Sequence, residues 1–233
     1  MIGGVTGRQA CSCCSVERIA KSASNCGMFC LPGRSRELDT VASSLAWFDL
    51  PTLPPWLRDI DTLRSFEGRV AVSYFSAFVG LPLRWRKGDV SKIPPHWRSI
   101  TERTSNVVDH RSARNATNPF HAALNLAYSV CSSACTQALN IQGFDTSCGI
   151  LHADKAGRDS LTYDLIEPFR GLIDDKLLNL FDTLQLCKGD ISESPNGSVR
   201  LSPHVARYVI ERTTLPQTAI DKAAYNLKMS MLQ

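Results

Sequence analysis

The chain has 233 residues, 43% hydrophobic and 21% charged, which is enough for a sizeable buried core and too apolar for a disordered segment. A net charge of +4 favours an anionic partner only weakly, so the placement of the basic residues carries more information than their number. The opening MIGGVTGRQA has no charged region followed by an apolar run, and the longest stretch free of Asp, Glu, Lys and Arg, 116–144, is too polar for lipid. The expectation is a cytoplasmic protein.

Residues 1–50 form a poorly defined N-terminal segment, rich in Ser, Gly and Cys, with a short helix expected over 37–50. Of nine cysteines, Cys11, Cys13, Cys14, Cys26 and Cys30 could supply four thiolates to zinc. Their C-x-C-C and C-x3-C spacing does not match the paired turns of a structural zinc site, so reduced, incidental thiols are preferred.

A helical domain is expected over 51–233. Pro-rich 51–59 acts as a linker into a helix from 61 or 62 to about 78. On that helix Leu63, Phe66, Val70, Tyr74 and Phe78 form one apolar stripe, and Glu67 falls inside it. A carboxylate on a core face must be paired, hydrogen-bonded or bound to a metal, and an arginine partner would satisfy it as well as an ion would.

A basic, Pro-containing connector follows over 83–115. In 84-RWRKGDVSKIPPHWR, Arg84, Arg86 and Lys87 alternate with Trp85, and Trp97 follows. That pattern suits phosphate contacts with base stacking, or equally a solvated loop whose tryptophans enter the core. Asn118, Pro119 and Gly143 then punctuate a long helix as N-cap, first residue and C-terminal stop.

The segment 148–164 reads as a loop or tight hairpin, with His152 at the end of the apolar run Gly149-Ile150-Leu151. A helix is expected from 164 to 186, with Pro168 confined to its first turn. Asp164 and Glu167 share a face there, and D-x-x-E at a helix start is also a capping box. After a loop at 188–198, helices are expected over 203–213 and 216–231. The class is mainly α.

Taken one at a time, Glu67, His152 and Glu167 each admit a structural explanation. Taken in order, 66-FEGRVAVSYFSAF, 118-NPFHAALNLAYSV and 143-GFDTSCGILHADKAGRDSLTYDLIEPFR resemble the catalytic core of the CRISPR-associated spacer-acquisition integrase family, Cas1. The likeness runs from about residue 63 to 180.

The resemblance implies one divalent ion, Mg²⁺ or Mn²⁺, held by Glu67, His152 and Glu167, with Asp164 and Asn125 in support. Hard oxygen donors with one imidazole suit those ions. It also implies endonuclease and integrase chemistry, in which the 3′-OH ends of short DNA fragments are joined to repeat DNA by transesterification. Arg84, Arg86, Lys87, Arg111, Arg114, Lys155, Arg158 and Arg170 are candidate DNA contacts. The implied partners are DNA, the small protein Cas2 and a second copy of the chain.

Three departures stand against this pattern. The family's N-terminal β-domain, which mediates dimerisation, finds no alternating segment before Glu67, so the chain looks truncated or internally initiated. Asn118 and His121 replace an Asp and an Asn, and the connector is longer than usual. A catalytically impaired DNA-binding fragment and a purely structural helical domain are therefore the competing expectations.

Overall fold

The computed structural model describes residues 60–102 and 116–232, and the side chains of residues 60, 63, 66, 67, 70 and 73 lie outside that description. The helix expected over 37–50, the N-terminal cysteines, Arg111 and Arg114 also lie outside it. Five α-helices are described: α1 Ile60–Ser76, α2 Pro119–Gln142, α3 Ser160–Thr183, α4 Pro203–Thr213 and α5 Gln217–Met231. Two strands, β1 Ile191–Glu193 and β2 Val199–Leu201, pair antiparallel with Ile191 opposite Leu201. The mainly α expectation holds. No helix among the described residues is long and apolar enough to cross a membrane.

Helix α2 is the central element, packed against α3, α4, α5 and β2. Its start and stop match their punctuation. The Asn118 side chain accepts the Phe120 N–H at 2.9 Å, and Gly143 takes a left-handed φ of 83° that a side chain would strain. Asn118 also donates to the carbonyls of His96 and Ser99 at 3.0 and 2.7 Å, so one side chain caps the helix and pins the connector. Buried Ala123, Ala127, Cys131, Cys135 and Ala138 keep α2 narrow where its neighbours approach. His121, 1% exposed, faces the Thr101 carbonyl at 2.8 Å.

Two expectations need correction. Helix α3 begins at Ser160, so Asp164 is not its N-cap and Pro168 lies inside the helix rather than in its first turn. The missing Pro168 N–H would have met the carbonyl of residue 164, four residues back, and the helix runs on through that gap. The capping-box reading fails because the Asp164 side chain is used elsewhere. The stretch 188–198 is not featureless: Ser194, Asn196 and Gly197 (φ 76°) turn a short hairpin, whose Val199 N–H bonds the Ala116 carbonyl at 2.7 Å.

Of the two readings open for the tryptophans, the structure selects the core. Trp85 and Trp97 are 7% and 4% exposed, stacked at 6.0 Å and 11°, with the Trp85 indole donating to the Trp97 carbonyl at 3.0 Å. They are core residues and present no face to a base. Two bonds, Arg86 N–H to the Leu186 carbonyl and Leu186 N–H to the Arg84 carbonyl, both 2.9 Å, sew the connector to the end of α3.

Candidate metal centre

The site begins with a tight turn. At Gly149 any Cβ would collide with the backbone carbonyl of His152 and come within 2.7 Å of the Ser160 Cβ, so only glycine lets residues 149–152 fold onto the start of α3. The Gly149 N–H is held by Asp154 at 2.7 Å, and the Ser160 hydroxyl donates to the Ala153 carbonyl at 2.9 Å.

Asp164, 3% exposed in the second turn of α3, organises this turn. One of its oxygens accepts the Ile150 N–H at 2.5 Å and the Leu151 N–H at 3.0 Å. The other accepts the His152 N–H at 2.9 Å and the His152 ring Nδ1 at 2.7 Å. A carboxylate accepts, so Nδ1 carries the hydrogen, and in the neutral ring the lone pair then lies on Nε2. Holding an imidazole this way fixes its tautomer and ring plane, as outer carboxylates do for metal-ligating histidines.

Nε2 of His152 lies 3.8 Å from Oε1 of Glu167, one turn along α3. The gap is too long for a hydrogen bond. It falls between the roughly 3.0 and 4.2 Å that separate cis and trans ligands of an octahedral ion about 2.1 Å from each. Both side chains keep some access, at 19% and 12% exposure. Arg170 Nη2 holds the same Glu167 oxygen at 3.1 Å, while its guanidinium lies 5.4 Å over the Tyr128 ring. An imidazole nitrogen and a carboxylate oxygen with this spacing could hold Mg²⁺ or Mn²⁺, given further oxygen donors. No group of three His, Cys, Asp or Glu gathers among the described residues, which do not include the Glu67 side chain.

The backbone of α1 nevertheless has a defined level. The Arg64 guanidinium donates to the carbonyl of Leu151, the residue whose N–H Asp164 holds. Ten residues on, the Tyr74 hydroxyl donates to Asp174 at 2.9 Å, and Asp174 lies ten residues beyond Asp164 on α3. The two ties run α1 beside α3 in the same direction, with Arg64 near the level of Asp164 and Tyr74 level with Asp174. Position 67 and Glu167 each lie seven residues before the Tyr74–Asp174 tie on their own helices, although 100 residues separate them in sequence.

The basic candidates divide into three groups. Arg158 lies 4.9 Å over the ring of Tyr163, which is itself 5.9 Å from the His152 ring, so this cation stands beside the site. Lys155 is exposed on the same loop. Arg84, Arg86 and Lys87 are exposed on the connector, Arg84 4.0 Å from Asp182 and Arg86 3.4 Å from Asp89. Arg170 is turned inward onto Glu167, and Asn125 lines a groove of about 380 Å³ with Asn196, Ser198 and Arg200.

Gly149, Arg64, Tyr163 and Asp174 did not emerge from the sequence as site residues. Gly149 and Tyr163 stood inside the quoted motifs, whereas nothing in the local pattern marks Asp174.

The helical core presents a carboxylate-clamped histidine against a glutamate. Residues 31–214 match the family model described as CRISPR associated protein Cas1, and the chain belongs to that family. It is 32% identical over 139 residues to the CRISPR-associated endonuclease Cas1 3 of Thermus thermophilus, covering 59% of this chain and 36% of that protein. It is 32% identical over 153 residues to the CRISPR-associated endonuclease Cas1 2 of Rhodospirillum rubrum, covering 65% and 40%. The chain therefore spans about two fifths of the length of these curated relatives. Among solved structures it is similar to a CAS1 protein from Thermotoga maritima, with TM-score 0.67 and 16% identity over 95% of this chain and 66% of that one. It is also similar to a casposase bound to integration product, with TM-score 0.60 and 18% identity over 96% and 63%. These two likenesses establish the fold.

Proposed function

We propose that this chain is a divalent-metal-dependent DNA endonuclease and integrase of CRISPR adaptation, with Glu67, His152 and Glu167 as the ligands. The observation that carries the reading is the Asp164 clamp, which leaves the His152 Nε2 lone pair facing Glu167 in a chain of the Cas1 family. The equal offsets of position 67 and Glu167 from the Tyr74–Asp174 tie support Glu67 as the third ligand.

When bound, Mg²⁺ or Mn²⁺ would polarise the phosphodiester and stabilise the charge developing on the leaving oxygen. In the joining reaction the 3′-oxygen of the incoming fragment forms a bond to the repeat-strand phosphorus. The existing bond from phosphorus to its 3′-oxygen breaks, and the proton of the attacking hydroxyl ends on that departing oxygen. His152, held by its Nδ1 hydrogen, offers a fixed nitrogen. Arg170 keeps the Glu167 carboxylate from swinging away, and Arg158, braced on Tyr163, is placed to meet a phosphate oxygen. No protein nucleophile is required, and with water as the attacking group the same arrangement hydrolyses DNA.

DNA and Cas2 enter as proposed partners. One fold neighbour is a casposase bound to integration product, and another lies in a Cas6-RT-Cas1–Cas2 complex. A homodimer belongs to the same proposal.

The test is a strand-transfer and cleavage assay on branched DNA and on labelled 3′-ended fragments with a repeat target. The expected result is product with Mg²⁺ or Mn²⁺, none in chelator, and loss in His152→Ala with an unchanged circular-dichroism spectrum. DNA binding without any product would favour the impaired DNA-binding fragment instead.

A further inference from the structure

Asp174 is 1% exposed, in the middle of α3. Its two oxygens take one hydroxyl each, Tyr128 of α2 at 2.6 Å and Tyr74 of α1 at 2.9 Å. Burying a carboxylate is costly, and apolar packing of similar volume would often be at least as stable. What apolar packing does not provide is direction. Two short hydrogen bonds on one carboxylate fix where three helices meet, the registry role that buried polar groups serve best.

Register matters most for α1. Tyr74 lies two turns beyond residue 67 and about 20° round the same helix, so both occupy one face of α1. Asp174 likewise lies two turns beyond Glu167 on α3. A slip of α1 by one residue would move position 67 by about 1.5 Å and turn it by about 100°.

We propose that Asp174 is a positioning residue for the metal centre. Through Tyr74 it locks α1 in the register that sets position 67 level with His152 and Glu167, and through Tyr128 it fastens that lock to α2. The inference rests on the metal-site reading above. Both phenols stay protonated donors well into the alkaline range, because burial first and the neighbouring Asp174 charge second raise their pKa values. The two tyrosines are therefore not equivalent. Only Tyr74 belongs to the helix that carries Glu67.

The experiment is Mn²⁺ binding to the full chain, followed by calorimetry and by the electron-paramagnetic-resonance signal of free Mn²⁺, without DNA. Tyr74→Phe removes one oxygen and should weaken Mn²⁺ binding about tenfold, equivalent to about 1.4 kcal/mol, through the lost register of α1. Tyr128→Phe keeps the ring under Arg170 and the tie to α1, and should bind Mn²⁺ within about threefold of the parent, even with a lower melting temperature. Asp174→Asn should bind no better than Tyr74→Phe; if it does not fold, the tyrosine pair decides. Parental affinity in Tyr74→Phe, or an equal loss in Tyr128→Phe, overturns the positioning role. His152→Ala separates the two readings. If it abolishes binding while Tyr74→Phe is neutral, only the Asp174 role fails. If it binds like the parent, or the parent binds no Mn²⁺, both fail.

Discussion

One oxygen of Asp164 receives both the backbone N–H and the ring Nδ1 of His152, at 2.9 and 2.7 Å. The carboxylate's other oxygen holds the two preceding amides, so a single buried side chain shapes the turn and selects the histidine tautomer.

Asp164→Asn should therefore disturb two things at once. An amide in that place turns a donor toward at least one of four N–H groups. The expected cost is on the order of 3 kcal/mol of stability, since hydrogen bonds to a charged acceptor contribute about 1.5–3 kcal/mol each. Mn²⁺ affinity should fall about 10–100-fold through misorientation of His152. Urea denaturation and Mn²⁺ titration check the two effects separately. Unchanged metal affinity would show that the clamp shapes only the loop.

Trp85→Ala and Trp97→Ala should behave as core mutations. Each is expected to cost about 3–5 kcal/mol, read by thermal or chemical denaturation. Single-strand DNA affinity should stay within about twofold for whatever fraction remains folded, far less than the roughly 1–3 kcal/mol that a stacking residue would cost. A selective loss of DNA affinity with parental stability would restore a stacking role.

The connector's cations are exposed and lightly paired, so their contribution to DNA binding should come through phosphates. Replacing Arg84, Arg86 and Lys87 together with Ala should weaken binding to all sequences alike and flatten its salt dependence, because fewer counterions are released. Fluorescence anisotropy across a salt series measures this. A triple mutant matching the parent at every salt concentration would place the DNA path elsewhere.

Tyr74 and Tyr128 hold their protons more tightly in the folded chain than in the unfolded one. Their stabilising effect is fully present below about pH 10 and is lost as pH rises beyond it, by about 1.4 kcal/mol per pH unit for each phenol. Phenolate absorbance should show these two of the five tyrosines ionising only as the chain unfolds. Reversible ionisation of all five near pH 10 with the fold intact would contradict the buried latch.

The helices were legible where local chemistry and tertiary structure agree. Asn118, Pro119 and Gly143 mark α2 because each satisfies a requirement of the helix end itself. Helix α3 was misplaced at its start because Asp164 and Glu167 mimic a capping box, while Asp164 is committed to amides 12–14 residues back in the chain. That commitment is a tertiary fact with no local signature. The hairpin at 191–201 was missed for a related reason: two three-residue strands carry too little alternation to register beside a turn-rich run. Trp85 and Trp97 were ambiguous because cations flanking an aromatic residue look alike whether the ring faces a base or the core. His152 and Glu167 stand out through ordered motifs rather than local chemistry, and they lie 3.8 Å apart. Asp174 could not be read at all, because its partners lie 46 and 100 residues away.

In the proposed centre His152 and Glu167 share one ion with Glu67. Anomalous diffraction from crystals soaked in Mn²⁺, recorded at the manganese edge, tests it most directly. A single strong peak is expected about 2.2 Å from His152 Nε2 and from a Glu167 oxygen, with the Glu67 carboxylate as third protein ligand. A peak elsewhere, or none between those residues with Arg170 still on Glu167, would contradict it.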